Sequence, residues 1–202
     1  MNIRTIIYSV FLASSLLTFG VFAQDGEVPH HDPVPVSRRA LMLAQLCAHE
    51  AGWDADATGD CAAIHEVVWR GAEREGMRYE SFIRTYARRF FAGTTSRAYF
   101  MQLNPRGDEP ASWPRVRTVR ERSGSRVERV PPFSHYRWQW LELLAYAANI
   151  VERAPEEVSP CASPVHDWGG SMDRERAARI GLIEVECGET RNDFYARPSL
   201  VS

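Results

Sequence analysis

The stretch CAHEAGWDADATGDCAAIHEV, Cys47 to Val67, decides how the chain folds and where its chemistry is sought. Glu50 follows Leu43, Leu46 and Cys47 at spacings that place all four on one face of a helix. A carboxylate therefore ends a stripe that should face a core. Ser37 is an N-cap for this helix, which the pattern predicts from Arg38 to about Glu50, and Gly52 suits its stop. The run Ala40-Leu41-Met42-Leu43-Ala44 is apolar nearly all round, the mark of a buried helix. Beyond an acidic turn with Asp54 and Asp56, Asp60 can cap a second helix whose stripe is Cys61, Ile64, Val67, Val68 and Ala72.

Working outward, the first 23 residues bear on the compartment. Arg4 precedes an apolar or hydroxylated run from Ile6 to Phe22, and Val21-Phe22-Ala23 fits a cleavage site. A retained membrane anchor is the rival reading, but the short run and cleavage-like end favour a signal peptide over 1–23. The expected product is periplasmic or secreted, with no later segment long and apolar enough to span a bilayer. Export makes the four cysteines a disulfide framework with three possible pairings. Proximity favours Cys47–Cys61 and Cys161–Cys187, the first closing a loop of roughly 15 residues, worth about 3 kcal/mol in the chain-entropy treatment. A zinc site lacks the Cys-x-x-Cys spacing that would support it. The formal charge of −2 gives no global signal for nucleic-acid binding.

After a proline-rich leader at 24–36, residues 37–202 read as one mainly α domain with long loops and a short β element. A third helix is expected over Ser81–Phe91 with Phe82, Tyr86 and Phe90 on one side. Residues 93–132 read as a long loop with little core of its own, including an arginine-rich part at about 106–131. Glu109, Glu121 and Glu128 interrupt its basic charge, so a solvated mixed-charge loop is the ordinary reading, and attraction to anionic polymers the functional one. Ser134 is an expected N-cap for a further helix, with Phe133 and Trp138 as a hydrophobic staple. Its apolar face is read as Trp138, Leu141, Leu144, Ala145 and Ala148, placing Trp138 in the core. A short helix at 173–180 and a strand at 182–185 complete the reading.

Glu50 is the leading catalytic candidate. A carboxylate at the end of a buried helix loses solvation, which raises its pKa and suits it to donate a proton in glycoside cleavage. The plainer alternative is that Glu50 pairs with an arginine or emerges into solvent. Glu50-Ala51-Gly52, a short acidic loop, then Gly59-Asp60-Cys61-Ala62-Ala63-Ile64 and Val67-Val68 resemble the cell-wall hydrolases of the spore-cortex-lytic type. These carry Glu-Ala at the end of a first helix and an alanine- and valine-rich second helix, and are similar to lysozyme-like lytic transglycosylases. The likeness covers about residues 40–70. It differs where the family has Glu-Ala-Arg-Gly-Glu and this chain has Glu50-Ala51-Gly52-Trp53-Asp54, and where Trp69-Arg70 replaces asparagine-arginine. The resemblance implies a disulfide-stabilised, lysozyme-like helical domain and a peptidoglycan substrate cut with Glu50 as acid and then base.

Other candidates are weaker. Asp60 is a possible second carboxylate, although an N-cap role is simpler. Tyr86 and Trp168 are substrate-binding candidates, Trp168 because it precedes Gly169-Gly170 in a loop where backbone approaches closely. Asn192-x-Phe194 after Cys187-Gly188 is similar to an Asn-x-Phe pattern of some glucosaminidases and muramidases, while a capped turn packed by Phe194 is the plainer account. A metal site from His49, Glu50 and His65, joined by His166-Asp167, is the hydrolytic alternative. Yet His-Glu-x-x-His is absent, and His49 falls about 100° from Glu50 around the helix. The expectation is an exported glycosidase or lytic transglycosylase, monomeric, needing no cofactor or metal, with peptidoglycan glycan strands as partner. The alternatives are a non-catalytic envelope-binding protein on the same frame and a metal-dependent hydrolase.

Overall fold

Ser37 starts the first helix as its spacing demands: its hydroxyl accepts from the Ala40 N–H, and α1 runs Arg38–Glu50. The computed structural model describes residues 35–53, 57–93, 97–121, 124–169 and 173–198. The expected signal peptide, the expected leader up to residue 34, Asp54, Asp56 and Gly170 lie outside these. The described residues belong to one compact unit. Ala51 ends α1 and Gly52 follows at φ +79°, the left-handed position where a side chain would be strained.

About half the structure is helical. Helix α2 (Ala57–Arg74) begins three residues before Asp60, so Asp60 lies in its first turn and is not its cap. The third predicted helix divides at Ala87 into α3 (Tyr79–Tyr86) and α4 (Arg88–Phe91). Helices α1 and α2 pack together with α5 (Arg137–Ile150), burying Leu43, Leu46, Ile64, Val67 and Leu144. Among the described residues no helix is long and apolar enough to cross a membrane.

Gly71 sets how closely α2 and α3 approach. A Cβ built there would lie 2.1 Å from Cζ of the buried Phe82 ring. Gly71→Ala therefore sets a helix-propensity gain of about 1 kcal/mol against overpacking of a ring with little room to yield. The expected outcome is a net loss of up to about 2 kcal/mol, read as a lowered urea midpoint.

Residues 93–132 are more than a loop. They contain a 3-10 turn at Ala98–Gln102 and an antiparallel hairpin of β1 (Val116–Glu121) and β2 (Gly124–Arg129). Phe100, Leu103 and Trp113 from this segment are buried. Phe100 and Trp113, with Phe133 and Tyr136, surround Trp53, whose ring stacks on Phe100 at 5.5 Å. Composition rich in Pro, Gly and Arg hid this cluster, because its aromatics are spread without a period.

The predicted start and face of α5 are also corrected. Phe133–His135 form a 3-10 turn, and Tyr136 precedes α5 without any side-chain cap, so Ser134 is not the N-cap. Trp138 is 72% exposed, whereas Trp140 is fully buried and donates its indole N–H to the Asn104 carbonyl at 2.8 Å. The inward face is Trp140, Leu143, Leu144, Ala147 and Ile150.

The C-terminal part is a small sheet in the order β3 (Asp167–Gly169), β5 (Asp193–Ala196), β4 (Ile183–Val185), antiparallel throughout. Helix α6 (Arg174–Arg179) precedes β4. Both disulfides form as proximity favoured, Cys47–Cys61 joining α1 to α2 and Cys161–Cys187 joining the approach to β3 with the end of β4. Buried Glu66 ties α2 to this region: its carboxylate accepts from the Val165 N–H and pairs with Arg70, which also reaches Glu156.

Candidate functional site

Glu50 sits on the last residue of α1, three residues after a cysteine bridged to α2. Its side chain is 29% exposed, and its carboxylate lies 2.9 Å from His49 Nδ1. The arginine pairing considered for Glu50 is thus replaced by a histidine contact. Adjacent helical positions diverge, but at a helix end the long glutamate side chain bends back to its neighbour. The His49 ring is itself held, 4.6 Å from Phe90 and 5.5 Å from Phe100. Glu50 is partly open to water at the rim of the core, less desolvated than its place on the stripe implied.

Three candidates from distant parts of the sequence meet on this side of the molecule. Tyr86, at the end of α3, stacks on Trp168 of β3 with ring centres 4.6 Å apart. Its hydroxyl donates to Asp167, which also accepts from the Trp168 N–H. The phenol is held protonated far above its usual range, first by loss of solvent around it, then by the charge of Asp167 and the hydrogen bond to it. The negative charge of Glu50 acts in the same direction, so Glu50 lies within electrostatic reach of the Tyr86 hydroxyl. Trp168 therefore belongs to a strand, with its ring fixed by a partner, and not to an open loop.

Asn192 enters from the C-terminal turn. Its amide Nδ2 donates to the Glu50 carbonyl at 3.4 Å and to Asp60 Oδ1 at 3.0 Å. Asp60 is fully buried; Oδ1 also accepts from the Asn192 N–H and Oδ2 from the Arg191 N–H. The Arg191 guanidinium donates to the Ala51 carbonyl, closing the end of α1. Asp60 thus fastens the C-terminal turn beneath Glu50. With both oxygens engaged and no exposure, it is not placed to work as the second carboxylate across a bound sugar. Phe194, two residues after Asn192, is fully buried, as the capped-turn reading of Asn192-x-Phe194 requires.

This clamp has a measurable consequence. In Asp60→Asn the amide NH2 must face at least one of the three donors that the carboxylate now accepts. Charged hydrogen bonds contribute about 1.5–3 kcal/mol each, so a loss of about 2 kcal/mol is expected in urea unfolding. A change below about 0.5 kcal/mol would deny Asp60 this fastening role.

The metal alternative does not assemble. His65 is buried between Tyr79 OH, 2.8 Å from Nδ1, and the Arg153 carbonyl, 3.1 Å from Nε2. Since that carbonyl accepts, Nε2 carries the proton and Nδ1 accepts from Tyr79. Burial lowers the His65 pKa and keeps the ring neutral. His166 accepts from the Arg197 N–H. Among the described residues no three His, Cys, Asp or Glu side chains are grouped to hold an ion.

His49 and Asp167, considered in the sequence only for a metal site, are instead the neighbours of Glu50 and Tyr86. Sequence adjacency to Glu50 was the signal for His49; Asp167 offered only its place beside Trp168. A concavity of about 530 Å³ between α1, α2 and α3 is lined by Arg39, Trp69, Glu73, Arg78, Tyr79 and Glu152, among others, and does not include Glu50. Its lining mixes both signs of charge, so we define the site by the convergence at Glu50. Comparison of the chain with protein-family models, curated proteins and solved structures gives no match.

Proposed function

We propose that this protein is an exported enzyme that cleaves peptidoglycan glycan strands, with Glu50 as general acid and then general base. The observation that supports this reading is the arrangement around Glu50. A partly exposed carboxylate stands at the end of a disulfide-anchored core helix, with the Tyr86–Trp168 stack and Asn192 brought to it from separate elements. In this reading protonated Glu50 gives its proton to the glycosidic oxygen as the C–O bond breaks. The resulting carboxylate then removes a proton from the hydroxyl that attacks the sugar carbon. The aromatic stack offers a face for a sugar ring.

With Asp60 engaged beneath the site, a single-glutamate route fits better than one needing two carboxylates across the bond. In such a route the substrate's own hydroxyl is the attacking group and the product ends in an anhydro sugar. The reading also retains the lysozyme-like frame implied by residues 40–70.

The experiment is digestion of purified sacculi followed by mass analysis of the soluble fraction. Anhydro-ended fragments support the single-glutamate route; reducing ends would point to hydrolysis and a second carboxylate. Co-sedimentation with sacculi and no soluble product would favour the non-catalytic binding protein. Activity abolished by a chelator would favour the metal-dependent alternative.

A further inference from the structure

The hairpin β1–β2 confines its two carboxylates to one of its two faces. The register pairs Val116 with Arg129, Thr118 with Val127 and Arg117 with Glu128. Directly opposed residues share a face and alternate along each strand. One face therefore carries Val116, Thr118, Val127 and Arg129, with no carboxylate at any of its positions. The other carries Arg117, Val119, Glu121, Arg126 and Glu128, and there Arg117 and Arg126 both pair with Glu128, at 2.9 and 2.6 Å. The two arginine positions on that face are matched by two carboxylate positions, so the positive excess of the hairpin falls on the valine face. Residues 115–130 hold six arginines and two glutamates in a chain whose formal charge is −2, so the hairpin is a basic arm on an acidic body.

The valines are the second observation. Val116 is 56% exposed and Val127 70%, although both sit in a strand and are diagonal neighbours on the same face. An exposed apolar strand face is a hazard that soluble proteins ordinarily blunt. A basic arm that attracted a soluble polyanion would need only its arginines. A bilayer surface with anionic headgroups takes both features: apolar side chains enter the headgroup boundary while arginines extend their guanidiniums to the phosphates.

We infer that the β1–β2 hairpin is a docking arm for lipid bilayer surfaces bearing anionic headgroups, with the Val116–Val127 face toward the lipid. This goes beyond the proposed chemistry and stands whether or not Glu50 cleaves glycan.

The test is co-sedimentation of the disulfide-bonded protein with vesicles of phosphatidylcholine alone or with about one third phosphatidylglycerol. Binding is expected on the anionic vesicles, weakening as salt screens the headgroups. Arg129→Gln, on the lipid-facing side, should lower the partition constant about fivefold, the effect of removing one basic residue near such a surface, while Arg126→Gln, on the opposite face and paired with Glu128, should lower it less than about twofold. Val116→Ser with Val127→Ser, at positions already open to water, should lower it about tenfold. Unchanged circular dichroism and thermal midpoints are expected for all these variants.

Three results would overturn the inference. One is absence of binding to anionic vesicles. Another is equal binding to both vesicle types, unmoved by the substitutions, which would put attachment at the apolar N-terminal stretch. The third is loss with the arginine variants but none with the valine pair, together with equally tight binding to soluble dextran sulfate, which would assign the arm to polyanions.

Discussion

Glu50→Gln is expected to reduce release of soluble glycan fragments from sacculi by about 10²–10⁴-fold, the usual contribution of a positioned general acid or base. The substitution is chosen to leave the surroundings intact. Glutamine has the same shape, and its carbonyl oxygen can accept from His49 Nδ1 where the carboxylate now lies 2.9 Å away. The contacts that hold the end of α1 use backbone oxygens, Glu50 to Asn192 and Ala51 to Arg191, and are untouched. Unfolding in urea should therefore move by less than about 0.5 kcal/mol. What glutamine lacks is a titrating proton. Lost release with preserved stability and preserved sacculus binding isolates the proton transfer; release within twofold of wild type would remove Glu50 from the mechanism.

Much of the helical frame was legible because local rules act alone there. Ser37 caps α1, Gly52 ends it, and proximity of the cysteines in sequence matched the pairs that form. The candidate residues were legible one at a time, and the structure supplies their meeting: Tyr86 on Trp168, and Asn192 under Glu50. Asp60 shows what local rules cannot reach. A capping residue type near the start of a helix was read as a cap, while its actual donors arrive from Arg191 and Asn192, more than 130 residues away. Trp53 is similar, since its aromatic surroundings come from separate turns between Phe100 and Tyr136. The hairpin was hidden by its charge, because an open two-stranded arm lacks the buried alternate face that makes most strands readable.

Helix α5 gives the sharpest measurable contrast, because its sequence RWQWLELLAYAANI supports two apolar stripes. Trp138, Leu141, Leu144, Ala145 and Ala148 follow helical spacing, and so do Trp140, Leu143, Leu144, Ala147 and Ile150, with Leu144 common to both. Periodicity alone does not choose between them; contacts with distant residues do. Asn104 places a carbonyl where the Trp140 indole N–H can donate, and α1 packs along that same side. Trp140→Ala removes a fully buried indole and leaves that carbonyl without its donor, so a loss of about 3–5 kcal/mol is expected. Trp138→Ala alters a side chain already facing water and should stay within about 0.5 kcal/mol of wild type. Urea unfolding of the two variants compares them directly. Equal losses, or a larger loss at Trp138, would mean that α5 turns its other stripe to the core, and the packing of α1 against it would have to be redrawn.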